Sequence, residues 1–276
     1  LIPQQYRDVR VHETPAGSIA HHRVAGIYGA RVGGLDAGHR IEDDGADLGA
    51  TLIAGQNGID AVEGPALVDG LMEERHVIEG VHDFAFAAWN RFRRADRTIG
   101  RVNVHVLHAP GDERSAARSL DVMAGALPAF ERRFGEYPYR VLTIVLPPPG
   151  AEAAAGMEYP TLITTGAQWW LPRRVRDVEY VTLHEFGHQY FYGMVASNEH
   201  RYPFLDEGFC EYATARVMED LFGRGGPIVD LPLAGPRFDT WAWEALGSAG
   251  VAYPLPLDLG ADEYPSWGRY GEHVYS

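Results

Sequence analysis

Val178-Glu179-Tyr180-Val181-Thr182-Leu183-His184-Glu185-Phe186-Gly187-His188 carries no proline and enough apolar residues to form a buried helix, and Gln189-Tyr190-Phe191-Tyr192 continues the pattern. On a helix, residues four apart lie one turn above each other, so His184 and His188 can aim both imidazoles at one ion. Gly187 costs the helix about 1 kcal/mol, which suggests close packing there. After eighteen intervening residues comes Glu207. A second helix fits Leu205 onward to about Phe222, before Gly223, with Asp206 or Asp177 as a helix-start residue. Glu207 therefore lies near the start of a helix that can pack against the first.

Two histidines, a carboxylate and a second carboxylate inside the pair form a hydrolytic pattern. Zinc held by His184, His188 and Glu207 keeps a fourth position for water, whose pKa falls from about 16 to about 7. Glu185 sits beside that ion and suits the general base and acid role, taking a proton and returning it to a leaving amine. The bland alternative is an amphipathic helix with two incidental histidines, since HExxH alone is a weak string. Glu211, one turn after Glu207, either orients a zinc-ligating histidine or lies on a solvated face. Cys210 reads as a small buried thiol.

Four motifs together resemble the M1 family of zinc aminopeptidases. They are His184, Glu185, His188 and Glu207 at the family spacing; Leu205-Asp206-Glu207-Gly208-Phe209; Gly156-Met157-Glu158-Tyr159-Pro160, similar to GxMEN; and His273-Val274-Tyr275-Ser276. Weaker similarity, such as His82-Asp83-Phe84-Ala85-Phe86, reaches back to about residue 70. Tyr159 departs from the pattern, standing where GxMEN has asparagine. The resemblance implies a zinc-dependent aminopeptidase with one zinc ion and peptide substrates bearing a free N-terminus. It also implies an α+β chain whose β-rich N-terminal domain, residues 1–98, leads into a thermolysin-like zinc metallopeptidase domain, residues 99–276. Tyr275 would then donate to the oxyanion, Glu158 would meet the substrate's α-ammonium group, and Gly156 and Met157 would approach the substrate through their backbone. A thermolysin-like endopeptidase and a catalytically idle binding scaffold are the alternatives.

Composition sets wider bounds. The 276 residues are 46% hydrophobic and 22% charged, enough for a substantial core. Lys plus Arg number 24 against 38 Asp plus Glu, and the net charge of −14 argues against a nucleic-acid surface. One cysteine excludes an internal disulfide. No run of about twenty apolar residues is present to span a membrane. Compartment and oligomeric state stay open. The start at Leu1 and the stop at Ser276 inside a motif read as a piece of a longer protein.

Along the chain, residues up to about 110 read as β-rich. Arg101-Val102-Asn103-Val104-His105-Val106 alternates as a half-buried strand should, with His105 outward. A helix is expected from about Glu113 to Phe134, stopping at Gly135, and strands over Val141–Leu146 and Thr161–Thr165, with Glu158 on or beside the edge strand. From Gly223 to about Pro265 little regular structure is expected. His21, His22, His39, His76, His82 and His200 have no partner at ligand spacing, and Trp169-Trp170 read as core or pocket wall.

Overall fold

Alternating valines give the sheet its buried face. In the computed structural model, which describes residues 9–13, 26–30, 63–68, 71–76, 84–89, 91–166, 168, 170–231, 237–242 and 255–275, Val102, Val104 and Val106 are fully buried. His21, His22, His39, His82, Trp169 and Ser276 lie outside the described residues. The chain divides into two compact units, residues 1–120 with 139–167, and residues 121–138 with 168–276.

In the first unit, β1 (Val9–Glu13), β4 (Leu71–His76) and β3 (Glu63–Val68) pair antiparallel in that order, and β2 (Gly26–Ala30) pairs antiparallel with β5 (Phe84–Ala88). A four-stranded sheet follows in the order β6 (Arg93–Ile99), β7 (Val102–His108), β8 (Val141–Val145), β9 (Leu162–Thr164). Strands β6 and β7 are antiparallel, joined by Gly100-Arg101 with Gly100 at a positive φ of 59°, as a two-residue hairpin requires. The pairs β7/β8 and β8/β9 are parallel. His105 faces outward as expected, its Nδ1 2.6 Å from Asp96 Oδ1. Ala85, Ala87, Phe92, Leu107, Val145 and Leu162 form a core cluster, with Trp89 and Tyr159 packed against it.

Helix α1 (Glu113–Phe134) connects β7 to β8, and the unit boundary falls within it, after Leu120. Gly135, at φ 108°, ends it where expected.

The second unit holds α2 (Asp177–Gly187), a π-helical turn (Phe204–Gly208), α3 (Phe209–Phe222), the short antiparallel pair β10 (Val229–Asp230) and β11 (Arg237–Phe238), and α4 (Trp267–Val274). Two sequence expectations are corrected here. First, α2 stops at Gly187 rather than running through Tyr192. The N–H groups of Gly193, Met194 and Val195 donate to the carbonyls of His188, Gln189 and Tyr190, five residues back, which widens the chain out of the helix. A Cβ at Gly193 would stand 2.7 Å from the Gln189 carbonyl oxygen, so glycine is what allows the turn. Second, α3 begins at Phe209 rather than at Leu205, after a π-helical turn that carries Asp206, whereas Asp177 is the first residue of α2, next to its N-cap Arg176. Gly223, at φ 86°, closes α3 as expected.

The end of α1 and α2 share an aromatic core. Phe130 meets Phe186 edge-on at 5.1 Å and stacks on Tyr190 at 5.5 Å. The tight approach inferred at Gly187 is present, because a Cβ there would stand 2.5 Å from the Cys210 Sγ. Mixed helix and sheet make the chain α+β. Among the described residues no helix is long and apolar enough to cross a membrane.

Candidate metal centre

Helix α2 presents His184 and His188 one turn apart, with His188 as the C-cap still in helical conformation. Their rings meet edge-on at 4.8 Å, and the two Nε2 atoms are 3.1 Å apart. The π-helical turn before α3 carries Glu207, whose Oε2 lies 3.0 Å from His184 Nε2 and 3.2 Å from His188 Nε2. π-helical turns widen the spacing of side chains and recur at functional sites. Glu207 Oε1 accepts a 2.6 Å hydrogen bond from the Tyr275 hydroxyl at the end of α4, and the Tyr275 ring lies 5.8 Å from that of His184. His184, His188, Glu207 and Tyr275 are thus brought together.

Outside this ring each imidazole has its own carboxylate. His188 Nδ1 lies 2.6 Å from Asp206 Oδ1. His184 Nδ1 lies 3.1 Å from Glu211 Oε1, an ion-pair distance without hydrogen-bond alignment, and the second Glu211 oxygen accepts from the Tyr180 hydroxyl. Of the two readings of Glu211, the structure selects the one facing a histidine. The place of Asp206 was missed, although its position beside Glu207 was a usable signal. Tyr180 was missed too, because its contact with Glu211 depends on how α2 and α3 pack.

Glu185 is 5% exposed, and its Oε2 is buried with no hydrogen-bond partner among the described residues. Burial, opposed by the two histidines, pushes its carboxyl up to about 7. Burial would likewise raise Glu207, but hydrogen bonds from His184 and His188 outweigh it and hold Glu207 below the usual carboxylate range. For the imidazoles burial disfavours charge, while Cys210 and the surrounding carboxylates carry both well above the histidine range. Burial and the Glu207 carboxylate push the Tyr275 phenol upward.

This donor set fits a zinc ion. Two ring nitrogens and a carboxylate oxygen converge at 3.0–3.2 Å, and a shared cation would take the place of the hydrogen bonds among them. In a zinc tetrahedron with bonds of about 2.0–2.1 Å, ligand atoms stand about 3.3 Å apart, so a small outward shift suffices. The acidic surroundings that favour charged imidazoles favour a divalent cation in the same way. His184, His188 and Cys210 also offer ligand atoms within 4.8 Å of one another. The Glu207 set is the better centre, because it is tighter and the Cys210 Sγ is directed at the helix backbone, 2.8 Å from the His184 carbonyl oxygen.

The remaining candidates belong to the first unit. Gly156, at φ 74°, donates its N–H to the Thr164 carbonyl. Met157 forms an antiparallel bridge to Thr164, with Thr164 N–H to Met157 O at 2.8 Å and Met157 N–H to Thr164 Oγ1 at 3.0 Å. Glu158 is half-buried on this segment beside β9, where the sequence reading placed it.

Residues 118–237 match the family model described as the Peptidase family M1 domain. The matched stretch contains every candidate residue except Tyr275. No curated protein shows significant similarity to the chain.

Proposed function

With residues 118–237 making this chain a peptidase of family M1, we propose that it is a zinc-dependent aminopeptidase, removing N-terminal residues from peptides with a free amino end. The observation carrying the proposal is the convergence of His184 Nε2, His188 Nε2 and Glu207 Oε2 within 3.0–3.2 Å, next to the buried carboxylate of Glu185. His184, His188 and Glu207 would hold one zinc ion. When bound, zinc supplies a Lewis acid that polarises the peptide carbonyl and acidifies water.

The chain's own groups do the rest. Glu185 accepts the proton of the attacking water and delivers it to the leaving amine. The Tyr275 hydroxyl turns from Glu207 Oε1 to the oxyanion as negative charge builds there. Asp206 and Glu211 hold the outer edges of the two imidazoles. Glu158 receives the α-ammonium group of the substrate, and the backbone at Gly156 and Met157 lies along it. The same proposal divides the chain into a β-rich N-terminal domain, residues 1–98, and a thermolysin-like catalytic domain, residues 99–276.

Hydrolysis of aminoacyl-arylamides and their N-acetylated forms tests the activity. Cleavage of the free-amine substrates alone, lost on chelation and restored by zinc, supports the aminopeptidase. Equal cleavage of the acetylated forms, unaffected by Glu158→Ala, points to an endopeptidase. No cleavage with zinc bound points to a binding scaffold.

A further inference from the structure

The two histidines are held from outside in different ways. His188 meets Asp206 directly, through a carboxylate only 4% exposed and 2.6 Å from Nδ1. His184 meets Glu211 at 3.1 Å, without hydrogen-bond alignment. Glu211 is itself held, since Tyr180, one turn before His184 on α2, donates its hydroxyl to Glu211 Oε2. The Glu211 side chain is 11% exposed, so little water is available to fix its orientation.

A carboxylate held at one oxygen can no longer rotate freely. With Oε2 occupied by the phenol, Oε1 is left for the imidazole. We propose that Tyr180 is a positioning residue of the metal centre: it fixes Glu211, which sets the ring of His184 so that Nε2 faces Glu207 Oε2 and His188 Nε2. The proposal rests on the reading of His184, His188 and Glu207 as zinc ligands. Groups that hold a ligating histidine from behind set its orientation and basicity, and losing one costs about 10–100-fold in metal affinity. A purely structural role is the alternative, in which the hydroxyl satisfies a buried carboxylate and contributes only to folding.

The zinc dissociation constant, measured by chelator competition, separates these roles when compared with the Tm of the metal-free protein. The chains needed are the parent, Tyr180→Phe, Glu211→Gln and the double variant. Tyr180→Phe keeps the ring and removes only the hydroxyl. It is expected to weaken zinc binding about tenfold and to speed zinc loss to chelator. Glu211→Gln should weaken binding at least as much, and the double variant no more than Glu211→Gln, because Tyr180 acts through Glu211. Zinc affinity in Tyr180→Phe within about twofold of the parent overturns the proposal, whatever its metal-free Tm. So does a double variant whose loss is the product of the two single losses. A parent that binds no zinc overturns the metallopeptidase reading and this inference together, whereas a zinc-binding parent with unchanged affinity in Tyr180→Phe overturns this inference alone.

Discussion

The candidate metal centre and the Gly156–Tyr159 segment are built by opposite means. At the first, side chains face side chains: His184 and His188 converge on Glu207, with Asp206, Glu211 and Tyr275 each holding one member. At the second, main-chain groups set the path, with Gly156 at positive φ and Met157 bridged to Thr164, its N–H also donating to the Thr164 hydroxyl. The difference teaches where each site tolerates change. One atom matters at the centre, whereas at Gly156 and Met157 the path of the main chain matters. Tyr159 illustrates the second case: it differs from the asparagine of GxMEN, yet its carbonyl closes a turn with the Leu162 N–H and its ring packs on the core of the first unit.

Glu185→Gln probes the side-chain site most sharply. It removes one proton acceptor without changing volume, and should lower kcat by about 10²–10⁴ while leaving zinc content unchanged. Steady-state kinetics beside elemental analysis checks this; full activity in the variant would remove Glu185 from the reaction.

The glycines sharpen the contrast further. Gly187→Ala drives a Cβ to 2.5 Å from the fully buried Cys210 Sγ, and should cost about 1–3 kcal/mol by urea unfolding. Adding Cys210→Ala should recover part of that loss, since the two positions compete for one space. Gly156→Ala should cost about 1 kcal/mol for a different reason, the strain of an L-residue at φ 74°. No compensating neighbour is expected there. Equal responses at the two glycines would mean that packing and backbone conformation do not divide the sites as described.

The smallest effect belongs to the ion pair of Arg133 and Asp220, with bonds of 2.8 and 2.6 Å but side chains 30% exposed. The hydrogen bond from Arg133 holds the Asp220 carboxyl below its usual range. A lowered pKa contributes stability above the unfolded-state value of about 3.9, and that stability fades as pH falls through the folded value. Because solvent screens the pair, Asp220→Asn should cost at most about 1 kcal/mol near neutrality and less in acid. Unfolding at both pH values checks it. A large loss at neutral pH would mean that an exposed pair can match the buried ones.

Regular elements were legible wherever local signals agreed. Glu113 to Phe134 stands between a turn and Gly135, and α3 stops before Gly223, as read. Strand β6 escaped notice because its sequence, Arg93-Arg94-Ala95-Asp96-Arg97-Thr98-Ile99, is charged on an edge position, where solvent accepts polar residues on both faces. The early end of α2 was hidden because Gln189 to Tyr192 are apolar enough to continue it, and the bonds that unwind it come from residues further on. At the centre, spacing predicted which side chains would converge. Spacing along the chain could not reveal Tyr180 acting on Glu211, because that contact depends on how α2 and α3 pack.

Zinc content after dialysis tests the central claim most directly, read by elemental analysis on the parent, His188→Ala and Glu185→Gln. One zinc per chain in the parent and in Glu185→Gln, with loss from His188→Ala, is the predicted result. Absence of zinc from the parent, or full retention in His188→Ala, would contradict the centre described here.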